Sequence, residues 1–133
     1  YDNVKGNPNE NFAREILELF TIGRGQYSNQ DIREAARAFT GWSIDDRSGR
    51  FVFRGDLHDS GVKTFLGQTG RFKGDDILNI VLKNPHTAQR IADKMWHEFI
   101  NISSPDKSIT RQWAQQFLAS NYDIPTLLKA ILT

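Results

Sequence analysis

Helix-start signals recur along this chain more regularly than any other pattern, and they limit what it can fold into. In "NPNENFAREILELFTIG", Asn7 can cap a helix, Pro8 suits the first helical position, and Glu10 stands three residues after the cap. Phe12, Ile16, Leu19 and Phe20 then fall on one face at helical spacing. Glu10, Arg14 and Glu18 line the opposite face with alternating sign, and Gly23 ends the pattern. "SNQDIREAARAFTG" repeats the design: Ser28 caps, Asp31 takes the third position, Ile32, Ala35, Ala36 and Phe39 form the stripe, and Gly41 stops it. The short link between the two predicts an antiparallel helical hairpin.

Helix returns over about 75–83, and Asn84-Pro85 and Ser104-Pro105 give two more cap-plus-proline starts. Ala88, Ile91, Ala92, Met95, Trp96 and Phe99 form the longest apolar stripe, and Trp113, Phe117 and Leu118 face inward from the next helix. Asn121 can take a left-handed closing position, and Asp123 caps a last helix.

One stretch breaks this rule. From Trp42 to Gly67 the chain is rich in Gly, Asp and Ser, with short aromatic or β-branched runs. "WSI", "RFVFR" and "KTFLG" read as strands and "DDRSG" as a turn. The expected fold is therefore mainly α: about six helices in a single domain over 1–133, with a small two- or three-stranded antiparallel β-insertion at about residues 42–67. The absence of an initial methionine and the apolar "LLKAILT" ending suggest a fragment of a longer protein.

The 17 Lys and Arg and 16 Asp and Glu residues are interleaved and nearly cancel, which argues against a nucleic-acid partner. No apolar run reaches the roughly 20 residues that span a bilayer. With no cysteine, disulfides and thiolate metal sites are excluded. The glycine-rich segments lack the context and the Lys-Ser/Thr ending of a phosphate loop, and no cofactor is expected.

Chemistry is concentrated in three places. His58-Asp59, between glycines, is either a working pair or an Asx-type turn into Gly61 with His58 packed on a helix and Lys63 neutralising Asp59. One histidine and one aspartate are too few for a tight metal site, so none is expected. Glu15 borders the apolar stripe; it either pairs with Arg33 or Arg37 or joins His58 in a hydrolytic or metal site. Trp42, Phe51 and Phe53 either seal the insertion onto the helices or stand exposed, where they could stack on sugar rings or on a partner chain.

The motifs "NPNENFAREILELFTIG", "DIREAARAFTGW", "LHDSGVKTFLGQTG" and "SNYDIPTLLKAILT", with the Trp96 helix between the last two, resemble the bacterial family called domain of unknown function 1800, in its order and over nearly the whole chain. The resemblance implies the C-terminal portion of a mainly helical, often exported protein, hence a periplasmic or extracellular site. It also implies a protein partner encoded by a neighbouring gene, and it implies no reaction. It adds Asn9, Glu10, Asn11, Phe12, Arg14, Glu15, His58, Asp59, Lys63 and Gly67 as motif positions. Two function classes emerge. The first is a structural or partner-binding module, with Arg14, Lys63 and Trp42 as candidate contacts. The alternative is a hydrolase or metal-dependent enzyme using His58, Asp59 and Glu15 with residues from a missing N-terminal part.

Overall fold

The computed structural model describes residues 3–101 and 103–133. Its first helix, α1 (Glu10–Glu15), is capped by Asn9 and not by Asn7, because Asn7 is spent in a tight turn with its N–H on the carbonyl of Val4. The Asn9 side chain accepts from Phe12 N–H, while the Asn9 N–H is donated to the buried side chain of Asn3. The helix then widens into a π-helical turn, Ile16–Phe20. A wider turn carries more residues per revolution and rotates the residues beyond it off the expected stripe. Ala13 and Leu17 are buried, whereas Leu19 and Phe20 are 49% and 63% exposed. The expected row of alternating charges does not form either: Glu18 pairs with Arg24.

Helix α2 (Asn29–Ala38) matches its sequence signals, with a reciprocal Ser28/Asp31 capping box and Ile32, Ala35, Ala36 and Phe39 in the core. The expected single insertion resolves into two separate antiparallel hairpins. Strand β1 (Trp42–Ile44) pairs with β2 (Phe51–Phe53), and β3 (Lys63–Phe65) pairs with β4 (Gln68–Gly70). The second hairpin extends past the expected boundary because Leu66 and Gly67, both at positive φ, close it in two residues.

Four helices complete the chain: α3 (Gly74–Lys83), α4 (Pro85–Phe99), α5 (Lys107–Ala119) and α6 (Ile124–Leu132). Asn84 and Asp123 cap α4 and α6 as expected, and Asn121 is left-handed. Helix α5 starts at Asp106, not at Ser104-Pro105: Asp106 accepts the N–H of Ser108 and outcompetes the earlier signal.

The apolar residues form two clusters. One joins α1, α2, β3 and α3 around Leu17, Phe39, Phe65 and Ile77; the other joins α4, α5 and α6 around Ala92, Trp113, Phe117 and Leu127. Two cations on α4 fasten them together. Arg90 donates to the carbonyl of Thr21 at 3.0 Å and Lys94 to that of Leu19 at 2.8 Å. Both carbonyls lie at the C-terminal end of the π-turn, the negative end of a helical segment. Gly23, at φ +84°, lets the Arg90 side chain cross there, since a Cβ would stand 2.6 Å from its Cδ.

The two clusters are expected to unfold as one unit. Trp42 reports on the first cluster and Trp96 and Trp113 on the second. A Trp96→Phe/Trp113→Phe variant and a Trp42→Phe variant should therefore share their profile with a common probe such as circular dichroism. Arg90→Met should lower stability by about 1.5–3 kcal/mol, the range of a hydrogen bond from a charged donor, with both reporters moving together. Separated urea midpoints for the two reporters while Arg90 and Lys94 are intact would show independent units.

Candidate functional site

The end of α2 and the loop over 54–62 form the densest polar network among the described residues. Its centre is Arg37. The guanidinium forks onto Asp59, with Nε 2.8 Å from Oδ2 and Nη2 3.2 Å from Oδ1. Its Nη1 donates to Glu34 Oε1 at 2.9 Å and to the carbonyl of Val62 at 3.2 Å. Asp59 Oδ1 also accepts the N–H of Gly61 at 2.9 Å, which is the Asx-type turn the sequence predicts. The approach is close: a Cβ on Gly61 would lie 2.9 Å from Arg37 Nη2.

His58 is buried beneath this turn. Its Nδ1 lies 2.8 Å from the carbonyl of Thr40, an oxygen that can only accept, so Nδ1 carries the proton. The Thr40 hydroxyl accepts the N–H of Asp59 at 2.8 Å and donates to the carbonyl of Arg37. Gly41, at φ +91°, makes room for the crossing, since a Cβ there would stand 2.7 Å from the Arg54 carbonyl and 3.1 Å from His58 Cβ. The histidine ring packs at 5.5 Å from that of Phe53.

Lys63 is 1% exposed and does not pair with the Asp59 carboxylate as expected. Its ammonium donates to two backbone carbonyls, those of Asp59 at 2.6 Å and Gly61 at 3.0 Å, because the carboxylate is already filled by Arg37 and Gly61. Burial pushes the Lys63 ammonium below its usual pKa, against the pull of nearby Asp59. The Arg37 guanidinium holds the Asp59 carboxyl down to about 2.

Two further carboxylates of α2 reach β3 and the turn after it, a role their positions in the sequence do not signal. Glu34, buried, accepts the N–H of Thr64 at 2.8 Å, and Asp31 accepts that of Leu66 at 2.9 Å. Carboxylates three residues apart on α2 thus satisfy alternate donors along the outer edge of β3, an edge that would otherwise be open.

Glu15 stands apart. It is exposed, and no arginine lies within ion-pair reach, so the expected pairing with Arg33 or Arg37 is not formed. Arg37 is saturated by Asp59 and Glu34, and Arg33 turns to the side chain of Gln30. No hydrogen bond or ion pair joins Glu15 to His58 or Asp59. Arg14 is likewise exposed and in no ion pair among the described residues. Among the described residues no group of three or more histidine or carboxylate side chains is placed to hold a metal ion, and no helix is long and apolar enough to cross a membrane.

The first hairpin carries a different kind of surface. The pairs Trp42–Phe53 and Ile44–Phe51 put four large apolar side chains on one face. Trp42 seals the hairpin to the core, edge-on to Phe39 at 4.9 Å and 6.5 Å from Phe12. Phe51, Phe53 and Ile44 are 63%, 41% and 49% exposed. The Lys73 ammonium sits 5.4 Å from the Phe53 ring centre.

The family model described as "Protein of unknown function (DUF1800)" matches residues 1–133, and the chain belongs to this family. No curated protein and no solved structure matches it.

The depressed Asp59 pKa has a consequence for acid stability. An unfolded aspartate titrates near about 3.9, so the clamp contributes fully above that pH and is lost as pH falls toward about 2. The contribution is on the order of 1–2 kcal/mol after allowance for solvent screening. Urea titrations should show Asp59→Asn less stable than the parent at pH 7, with the gap narrowing as the pH falls toward 2. A gap that does not change with pH would contradict this. Glu15→Ala, by contrast, should change stability by less than about 0.5 kcal/mol, as read from the same titrations.

Proposed function

We propose that this chain is a non-catalytic binding module of an exported bacterial protein, with the aromatic hairpin as its contact face. The observation that carries this reading is a division of labour. Three polar side-chain atoms of the conspicuous His58-Asp59 motif are engaged inside the molecule: both Asp59 oxygens by Arg37, and His58 Nδ1 by Thr40. On the Trp42 face of the first hairpin the side chains left facing outward, Ile44, Phe51 and Phe53, are apolar, and Trp42 packs them onto the core. Exposed aromatic surface next to a rigid core is what recognition surfaces use, because it offers large contact area at low entropic cost. In this reading His58, Asp59 and Lys63 hold the loop that underlies the hairpin, and Trp42 anchors the contact face. The hydrolytic reading needs Glu15 beside His58, and neither hydrogen bond nor ion pair joins them.

A photo-crosslinking amino acid at position 51 of the full-length protein tests this in the cells that produce it. A discrete adduct at position 51, absent with the same probe at position 98 on α4, is expected. The companion variant His58→Gln should lower the melting temperature. No adduct at position 51, or an enzymatic activity lost in His58→Gln with unchanged melting temperature, would overturn the reading.

A further inference from the structure

We infer that the hairpin face binds a neutral saccharide chain, seating successive pyranose rings on either side of Phe51. The inference rests on the binding-module reading and names its ligand. Two adjoining grooves share Trp42 and Phe51. One, of about 200 Å³, is completed by Phe53, Lys73 and Asp75. The other, of about 160 Å³, is completed by Phe12, Ser43 and Ile44. Both are smaller than the roughly 300–1,000 Å³ that take a drug-sized molecule. Each therefore suits one ring, and their shared wall suits units joined in sequence.

The chemistry of the larger groove fits a sugar. A pyranose has a face of polarised C–H bonds, complementary to the negative face of an aromatic ring, and a rim of hydroxyls that both donate and accept. Phe51 supplies the open face, and Phe53, with the Lys73 ammonium over its ring, forms the side of the groove. Lys73 supplies a donor and Asp75 an acceptor, and their charges cancel, which favours a neutral ligand. Asp75 is exposed and makes no hydrogen bond or ion pair among the described residues, whereas its neighbour Asp76 is occupied by the N–H of Lys73. The two rim residues are held in place by Gly74 between them. A Cβ on Gly74 would stand 2.5 Å from the Trp42 ring and 2.6 Å from Phe39, so only glycine lets this segment press against the aromatic base.

A protein partner is less well matched. A standard protein interface buries about 800 Å² on each side, and this face is formed by two strands of three residues. Linear gluco-, xylo-, manno-, galacto- and N-acetylglucosamine oligosaccharides, titrated into the chain up to about 10 mM, provide the test by amide chemical shifts. At least one series is expected to shift the amides of 51–53 and 73–75 saturably, the hexamer binding more tightly than the dimer. Phe51→Ala should weaken binding by about tenfold and Asp75→Ala several-fold, each with an unchanged melting temperature. No shift with any series overturns the saccharide assignment. If the adduct at position 51 then proves to be a polypeptide, the binding-module reading stands and only the ligand falls; if there is no adduct either, both fall.

Discussion

One guanidinium organises the middle of this molecule. Arg37 ties together the end of α2, the turn at Asp59 and the carbonyl of Val62. The planar fork of arginine suits this task, because it meets one carboxylate with two parallel bonds and still has a donor for a second. The pair is partly shielded, with side-chain exposures of 28% for Arg37 and 24% for Asp59, so its attraction is screened less than that of a surface pair. Truncating either member leaves the other charge in a half-buried site.

The clamp holds the loop that joins the two hairpins. The loop over 54–62 leads from β2 to β3. On one side it lays His58 under Phe53, and on the other it delivers β3 to the carboxylates of Asp31 and Glu34. Leu66 accepts a positive φ that few leucines adopt, and burial against the first cluster and its bond to Asp31 hold it there. The exposed aromatic face is thus carried by a segment whose geometry is fixed from beneath, which is the arrangement a preorganised contact surface needs.

The parts of this architecture that are local in sequence were legible there. The Ser28/Asp31 box, the Asn84 and Asp123 caps and left-handed Asn121 each involve residues within a few positions, where spacing dictates partners. The Asx turn from Asp59 to Gly61 is local too. The partner of Arg37 was not legible, since Glu15 lies as far before it in the chain as Asp59 lies after it, and only packing chooses between them. Asp31 read as a capping residue and nothing local marks Glu34, because their strand-edge partners lie 35 and 30 residues away. The π-turn has no composition of its own, so its displacement of Leu19 and Phe20 could not be read from the stripe. Periodicity likewise placed the aromatics in the insertion without saying which would face outward; the register of β1 on β2 decides that.

A double-mutant cycle across Arg37 and Asp59 measures the strength of this fastening. Urea unfolding of Arg37→Met, Asp59→Asn and the double variant at pH 7 yields the coupling between the two side chains alone. If the motif is an internal fastening, the coupling is favourable and at least about 1 kcal/mol, and both single variants keep the parent's circular-dichroism spectrum. A coupling indistinguishable from zero would mean that the two groups merely lie side by side, and the account of this loop as a structural clamp would be wrong.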